Sequence, residues 1–187
     1  MHFTTLVPIL AATAFAAPVE DLVKRAGCSS YTIIDTRGTG EPQGQSFGFR
    51  TMNAAIMSQV PNGTLYNTVY PAGFDQVSTA GTADIVRKVQ SGLQSNPNQC
   101  FILEGYSQGA AATVNALPKL TGASFTAVKG VFLIGDPLHK SGLSCNVDNN
   151  GGTTTKNVNG LEAAEPGANS IPTAWQSKTL DVCIYVS

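Results

Sequence analysis

Residues 105–109 read GYSQG and place a serine, Ser107, between two glycines. An apolar run precedes the motif and an alanine-rich run follows it. A serine hydroxyl attacks a carbonyl carbon efficiently only when a base takes its proton, and that base is usually a histidine held by a carboxylate. The motif therefore predicts acyl-transfer chemistry at Ser107 and raises the question of where the base lies.

The residues around the serine favour a nucleophile elbow. Residues 100–106, CFILEGY, form the short apolar run typical of a buried parallel strand, and residues 107–120, SQGAAATVNALPKL, favour a helix. A sharp turn between such a strand and such a helix exposes the hydroxyl, and the helix N-terminus favours negative charge beside it. The alternative interpretation is a tight turn bordered by glycines that has no catalytic role.

Acyl transfer also needs hydrogen-bond donors for the oxyanion of the tetrahedral intermediate. The amide of the residue after the nucleophile, Gln108, is one such donor. Residues 36–42, TRGTGEP, follow the first predicted strand and offer the hydroxyl and amide of Thr39. We therefore expect Thr39 and Gln108 to form an oxyanion hole beside Ser107.

Strands and helices alternate along the rest of the chain. Strands are predicted over residues 30–35, 64–71, 100–106, 129–137 and 178–186, and helices over residues 47–60, 82–94 and 107–120. Residues 141–173 are expected to be mostly loop. This alternation predicts an α/β sandwich with a mostly parallel sheet, whose functional groups gather beyond the C-terminal strand ends.

The N-terminal residues have the composition of a secretory leader. Residues 1–16 include the apolar run FTTLVPILAATAFA and end in a small-x-small site, which predicts a signal peptide. Residues 17–25 end in a Lys-Arg pair and are interpreted as a propeptide, and residues 26–187 as one domain. A buried N-terminal helix and an ordinary charged linker are the alternatives. We expect a secreted, extracellular protein.

Charge and cysteine content narrow the function classes. The net charge is -1, only 12% of the 187 residues are charged, and no basic run occurs, so no nucleic-acid partner is expected. No apolar run reaches the roughly 18 residues of a membrane span. A monomer is expected.

The four cysteines contain no CxxC pair, which disfavours a zinc site but permits disulfides after secretion; they are Cys28, Cys100, Cys145 and Cys183. Asn62 begins an Asn-Gly-Thr glycosylation sequon.

Four motifs together make the chain similar to the cutinase family of secreted fungal serine esterases. They are DTRGTGEP after the first strand, CFILEGYSQGA at the elbow, GDP after the fourth strand, and a late strand that carries a cysteine. The resemblance covers residues 28–185 and favours the cutinase-like polyesterase branch. It implies a small α/β-hydrolase without a lid, a three-layer sandwich around a mostly parallel five-stranded sheet. It also implies hydrolysis of cutin, short acyl esters or aliphatic polyesters without a cofactor or metal.

The same resemblance assigns roles to single residues. Ser107 matches the family nucleophile, and Thr39 and Gln108 match its oxyanion donors. Cys28 and Cys100 match a pair of cysteines that family members bridge, so a disulfide between them is implied.

The resemblance fails after the late strand LDVCIY. Family members continue into a Gly-Asp turn with the catalytic aspartate, a cysteine that pairs with the one on the strand, a loop with the catalytic histidine, and a final helix. This sequence ends at Val186-Ser187. The fold is therefore expected to lack the final helix and to expose apolar surface on one face of the sheet. Codons for Val-Ser can form the start of an intron, and we hypothesise that this end is a read-through intron. Cys183 is then either free or paired with Cys145.

No other residue clearly supplies the missing base. His2 falls in the predicted leader, and His139 is expected to be an ordinary surface side chain. Asp136 is expected to form a turn. Asp181 lies inside the last predicted strand, ahead of the position of the family's catalytic aspartate. We therefore expect severely impaired ester hydrolysis; the alternative is an inactive relative that binds lipid or polyester surfaces.

Other charged side chains receive structural interpretations. Asp35 and Arg37, beside the predicted oxyanion loop, are interpreted as an ion pair. Asp75 and Glu104 are interpreted as solvated or structural carboxylates.

Overall fold

The computed structural model describes residues 27–184; the predicted signal peptide and propeptide and the last three residues lie outside this part. Its strands are β1 (Ser30–Thr36), β2 (Gly63–Asn67), β3 (Gln99–Tyr106), β4 (Val128–Ile134), β5 (Asn146–Asp148) and β6 (Thr179–Cys183). They form one sheet in the order β2-β1-β3-β4-β6-β5, and every neighbouring pair is parallel. The prediction of a parallel sheet is confirmed.

The count of five strands is wrong by one, because β5 lies inside the segment predicted as loop. Asn146–Asp148 reads NVD, a run too short and too polar for a strand pattern. Its position depends on β6, where Asn146 aligns with Asp181. The Asn146 side chain also donates hydrogen bonds to the carbonyl oxygens of Lys140 and Lys156, at 2.8 and 3.0 Å.

The helices confirm the predicted alternation. They are α1 (Arg50–Gln59), α2 (Thr79–Ser95), α3 (Gln108–Ala116), α4 (Ala123–Ala127) and α5 (Thr173–Gln176). The helix predicted over residues 107–120 ends early, at Ala116. A 3₁₀ turn, Leu117–Lys119, follows and contains Pro118, which lacks the amide proton that a continued α-helix needs.

Side chains that alternate along the strands build two cores, one on each face of the sheet. Ile34 and Leu103 belong to the larger core, which α2 and α3 cover. Ile33 points to the opposite face, where Ile56 and Val60 from the region of α1 pack against it. Helices on both faces make three layers.

Two buried carboxyl groups lie on the α1 side of the sheet. Asp35 and Glu104 are aligned neighbours on β1 and β3, and both are fully buried. Asp35 accepts hydrogen bonds from the Ser46 amide at 3.1 Å and the Asn53 amide at 3.4 Å, whereas neither Glu104 oxygen has a regular partner. Burial raises the pKa of Glu104 to about 8 and that of Asp35 to about 7. Glu104 is thus structural and not solvated.

The same face of the sheet is less covered towards β6. Leu180 aligns with Phe132 of β4. Leu180 and Ile184 are exposed, and Phe132 and Val182 are half-buried. Apolar side chains therefore reach the surface at this end of the sheet.

The disulfide implied for Cys28 and Cys100 is present, with the two Cα atoms 5.6 Å apart. Cys145 and Cys183 are both free thiols. Cys183 aligns with Asp148, three positions along from Cys145, which places the two cysteines about 10 Å apart along the strand direction. This separation exceeds the Cα distance that a disulfide tolerates, so the Cys145–Cys183 alternative is wrong.

Removal of the disulfide is expected to destabilise the fold. Replacement of both Cys28 and Cys100 by serine frees a loop with a sequence separation of 72, and should lower the free energy of unfolding by about 2–4 kcal/mol. Urea unfolding of the purified protein measures this change. Cys183→Ser, which removes a thiol outside the bridge, is the control and should have the smaller effect. Equal losses in the two variants would contradict the prediction.

The buried Glu104 predicts a stability that falls as pH rises. Its carboxyl group keeps its proton to about pH 8 in the folded chain but loses it near pH 4.5 when unfolded, so the folded state binds more protons between these values. Glu104→Gln removes this term and should gain roughly 2–4 kcal/mol relative to the parent between pH 5 and pH 9. Urea unfolding across this range measures it, with exposed Glu165→Gln as control. Parallel pH curves for parent and Glu104→Gln would refute the prediction.

Candidate active site

Ser107 occupies the turn between β3 and α3 in an unusual backbone conformation. Its φ is 53° and its ψ is -121°, a left-handed region that non-glycine residues rarely adopt. Its amide donates to the Ile134 carbonyl oxygen at the end of β4, at 2.9 Å. The residue is half-buried. The predicted strand–turn–helix arrangement around Ser107 is therefore confirmed, and the turn holds its side chain at the C-terminal edge of the sheet.

The two glycines of GYSQG allow close contact between β1, β3 and α3. A Cβ atom on Gly105 would lie 2.6 Å from the Ala110 Cα atom. A Cβ atom on Gly109 would overlap the carbonyl oxygen of Thr36, where β1 ends. No side chain fits at either position. The first turn of α3 can therefore approach the strand that leads into the predicted oxyanion loop.

The structure brings both predicted oxyanion donors to the Ser107 turn. Gln108 is the first residue of α3, so its amide has no acceptor within the helix. Thr39 follows Gly38, whose added Cβ atom would lie 3.2 Å from the Ser107 Cβ atom. The Thr39 hydroxyl donates to the side-chain oxygen of Gln76 at 3.2 Å. Sequence reasoning missed Gln76, because its loop follows β2 and is distant from Thr39 in the chain.

Arg37 fixes the start of the oxyanion loop through carbonyl oxygens. Its guanidinium is buried and donates to the carbonyls of Glu41, Thr68 and Tyr70, at 2.8, 3.3 and 2.5 Å. The Tyr70 hydroxyl donates back to the Arg37 carbonyl at 2.5 Å. Asp35 instead binds Ser46 and Asn53. The predicted ion pair between Asp35 and Arg37 is therefore wrong, because backbone carbonyls take all of the donors that the structure assigns to Arg37.

The only histidine in residues 27–184, His139, is not on the surface as predicted. It is 1% exposed, and its Nδ1 atom lies 2.6 Å from Oδ2 of Asp181, which is also buried. This contact pairs the imidazole with the carboxyl group of Asp181. Burial lowers the pKa of His139, but Asp181 and Asp136 outweigh that effect and raise it overall. In the described residues His139 faces Asp181 and makes no hydrogen bond to Ser107, so this arrangement does not place it as the base of Ser107.

The remaining predicted residues lie as follows. Asp136 forms a turn as predicted: it is buried, its carboxylate accepts from the Leu138 amide at 3.0 Å, and its carbonyl accepts from the His139 amide at 3.1 Å. Burial, with the nearby charge of Asp181, raises the pKa of Asp136 to about 8.

Asp75 is exposed and accepts from the Val77 amide. Asn62 is exposed at the start of β2, so its glycosylation stays a prediction that its position permits.

Exposed apolar side chains lie at this edge of the sheet in loops that follow β1, β2 and β5. We call them the apolar rim: Phe47, Val69, Phe74, Val77 and Leu161. Phe74 is 87% exposed and Leu161 is 96% exposed. A Cβ atom on Gly40 would lie 3.1 Å from the Phe74 ring, so this ring lies beside the Thr39 loop. The apolar rim and Ser107 therefore share one edge of the molecule.

Between residues 27 and 184, no helix is long and apolar enough to cross a membrane. In the same range, no group of three or more His, Cys, Asp or Glu side chains is placed to hold a metal ion.

Comparisons with known proteins agree with this geometry. The cutinase family model matches residues 27–185. A cutinase-like protein from Cryptococcus sp. is 65% identical, has a TM-score of 0.82, and is matched over 85% of this chain and 78% of its own. A cutinase of Monilinia fructicola is 30% identical over 135 residues, which are 69% of this chain and 67% of the relative.

A more distant solved structure has the same fold. The catalytic core domain of an acetyl xylan esterase from Trichoderma reesei is 26% identical, with a TM-score of 0.69, over 84% of this chain and 83% of its own. The chain spans between 47% and 76% of the length of the curated cutinases that it matches. The family match, the relatives and the serine turn at the end of β3 together show that the chain belongs to the cutinase family.

Proposed function

We propose that this protein derives from a secreted carboxylic ester hydrolase that forms an acyl-enzyme on Ser107. The observation that carries the proposal is the backbone conformation of Ser107 at the end of β3, in a turn where Gly105 and Gly109 leave no room for a Cβ atom. This geometry presents a hydroxyl at the edge of the sheet with two loops beside it. The family membership supports the same reaction class.

The proposed reaction proceeds in two steps. Ser107 Oγ attacks the ester carbonyl carbon, and the bond to the alcohol oxygen breaks as the alcohol leaves with a proton. Water then attacks the acyl-enzyme and releases the acid. In both steps the Gln108 amide and the Thr39 hydroxyl or amide donate hydrogen bonds to the oxyanion. For this purpose the Thr39 hydroxyl turns from Gln76, since it has one proton to donate.

Within residues 27–184, His139 is the histidine that could accept the proton of Ser107. His139 is buried against Asp181, so it does not serve Ser107 in the described arrangement. We therefore propose weak turnover, in which the oxyanion donors and substrate binding supply most of the acceleration. Enzymes of this type that lack a triad member retain roughly 10³–10⁴-fold acceleration over water.

The apolar rim supports a water-insoluble ester as the substrate. Exposed Phe74 and Leu161 bury apolar area when the molecule meets a hydrophobic surface, and the rim shares its edge with Ser107. We propose cutin or another lipid or aliphatic polyester as this surface. The same observation favours a second candidate function, in which the protein binds such surfaces without hydrolysis.

The central test compares the parent with Ser107→Ala. The parent should hydrolyse p-nitrophenyl butyrate slowly but above the buffer rate, by up to about 10³–10⁴-fold, and Ser107→Ala should return to the buffer rate. Exposed Ser91→Ala is the matched control and should keep the parent rate. A fluorophosphonate should add its phosphonyl group to Ser107 Oγ with loss of fluoride, in the parent and in the control only.

Two outcomes would count against hydrolysis at Ser107. Hydrolysis that persists in Ser107→Ala would place the reaction elsewhere. A parent that neither hydrolyses ester nor reacts with fluorophosphonate, yet adsorbs to polyester as well as Ser107→Ala does, would support the binding function instead.

Phe74→Ser should weaken adsorption to a polyester film and leave hydrolysis of the soluble ester within about twofold. The ring is exposed and loses on the order of 1 kcal/mol of apolar contact, which corresponds to a roughly fivefold weaker adsorption. The bound fraction is measured by depletion from solution. Met57→Ser on α1, near Tyr31, is the matched control outside the apolar rim. Equal adsorption of both variants would show that the rim does not contact the film.

A further inference from the structure

Glu41 connects two segments that meet beside the Ser107 turn. Its carboxylate accepts the Gly38 amide at 2.5 Å and the Phe47 amide at 2.6 Å, one on each oxygen. The Ser46 hydroxyl donates to the same carboxylate at 3.1 Å. Through these hydrogen bonds, Glu41 links the oxyanion loop, residues 37–41, to residues 46–48.

The second segment is held firmly against the sheet. The Ser46 amide donates to buried Asp35 on β1, and Phe49 is buried in the α1 side of the fold. The Ser46 hydroxyl also accepts the Gly48 amide at 3.2 Å. Residues 46–48 therefore form a fixed support, to which Glu41 ties the oxyanion loop.

The first segment carries Thr39 between bonded neighbours. Gly38 lies against the Tyr106 ring and Ser107, and the Gly40 amide donates to the Ala72 carbonyl at 2.8 Å. Because the Gly38 amide is one peptide unit before Thr39, its bond to Glu41 limits the rotation of the main chain at Thr39 and so the direction in which the Thr39 hydroxyl points. Oxyanion donors act through such fixed geometry, since they stabilise charge only where they already point.

We propose that Glu41 is a positioning residue, which holds the oxyanion loop so that Thr39 faces the carbonyl attacked by Ser107. This inference rests on the proposed function. A carboxylate suits the role because each of its oxygens accepts from one backbone amide. A glutamine has a single side-chain acceptor atom, and its NH₂ group faces one of the two amides as a second donor.

Glu41→Gln should lower kcat for p-nitrophenyl butyrate by about 10-fold and leave KM within about twofold. The expected loss is part of the roughly 10²–10³-fold effect of deleting an oxyanion donor. The rate of fluorophosphonate addition to Ser107 should fall in proportion. Glu165→Gln, an exposed glutamate outside the site, is the matched control and should match the parent.

A double-mutant cycle separates positioning from general destabilisation. If Glu41 acts by directing the Thr39 hydroxyl, Glu41→Gln should cost less than about twofold in a Thr39→Val background, because the hydroxyl that it directs is already lost. A full 10-fold loss in that background would overturn the proposal. Glu41→Asp, which keeps the charge but is shorter, should recover part of the parent rate.

Amide hydrogen exchange gives a readout that does not need turnover. In Glu41→Gln, exchange should accelerate in residues 37–48 and stay unchanged in α2 and α3. Unchanged exchange in residues 37–48, or acceleration throughout the chain, would overturn the positioning role whatever the activity. A parent that shows no Ser107-dependent reaction but the expected exchange would count against the proposed function and support the role of Glu41.

Discussion

The contact between Gly109 and the Thr36 carbonyl oxygen determines how closely α3 approaches the end of β1. Any side chain at position 109 would push the helix away from the strand that leads into the Thr39 loop. The same contact fixes the direction in which the chain leaves β3, and so the left-handed conformation of Ser107. Close packing of backbone on backbone, permitted by the absence of Cβ atoms, thus sets the geometry of the nucleophile and of the predicted oxyanion donors together.

Buried polar side chains hold the segments that lead away from this contact. Arg37 satisfies its guanidinium with backbone carbonyls, and Asp35 satisfies one oxygen with the support segment that Glu41 also binds. These hydrogen bonds stabilise loops that have no regular secondary structure of their own. The loops at the C-terminal edge of the sheet are consequently held by the buried side chains of Arg37 and Asp35, while the apolar side chains of these loops are exposed.

The sequence pattern predicts those parts of the fold in which each residue packs against residues that are close to it in the sequence. The apolar strand, the GYSQG turn and the alanine-rich helix lie within one continuous stretch, so the site of Ser107 could be inferred from residues 100–120. Strand β5 could not, because Asn146–Asp148 pairs only through β6 and carries a single apolar residue. His139, in the loop after β4, contacts Asp181 on β6, a residue distant in the sequence, so no local signal reveals this contact. The ion pair predicted for Arg37 is wrong because its partners are backbone carbonyl groups, which every residue possesses and which the sequence does not single out.

The Cys28–Cys100 bridge divides the sheet into unequal parts. The covalent ring that it closes contains β1, β2, α1 and α2, whereas β4, β5 and β6 lie wholly outside it. A force applied between the two ends of the chain would therefore pass from Cys28 directly to Cys100 and bypass the ring. The strands beyond β3 would bear the load and separate first, and the ring would keep its residues tethered until the sulfur–sulfur bond was reduced.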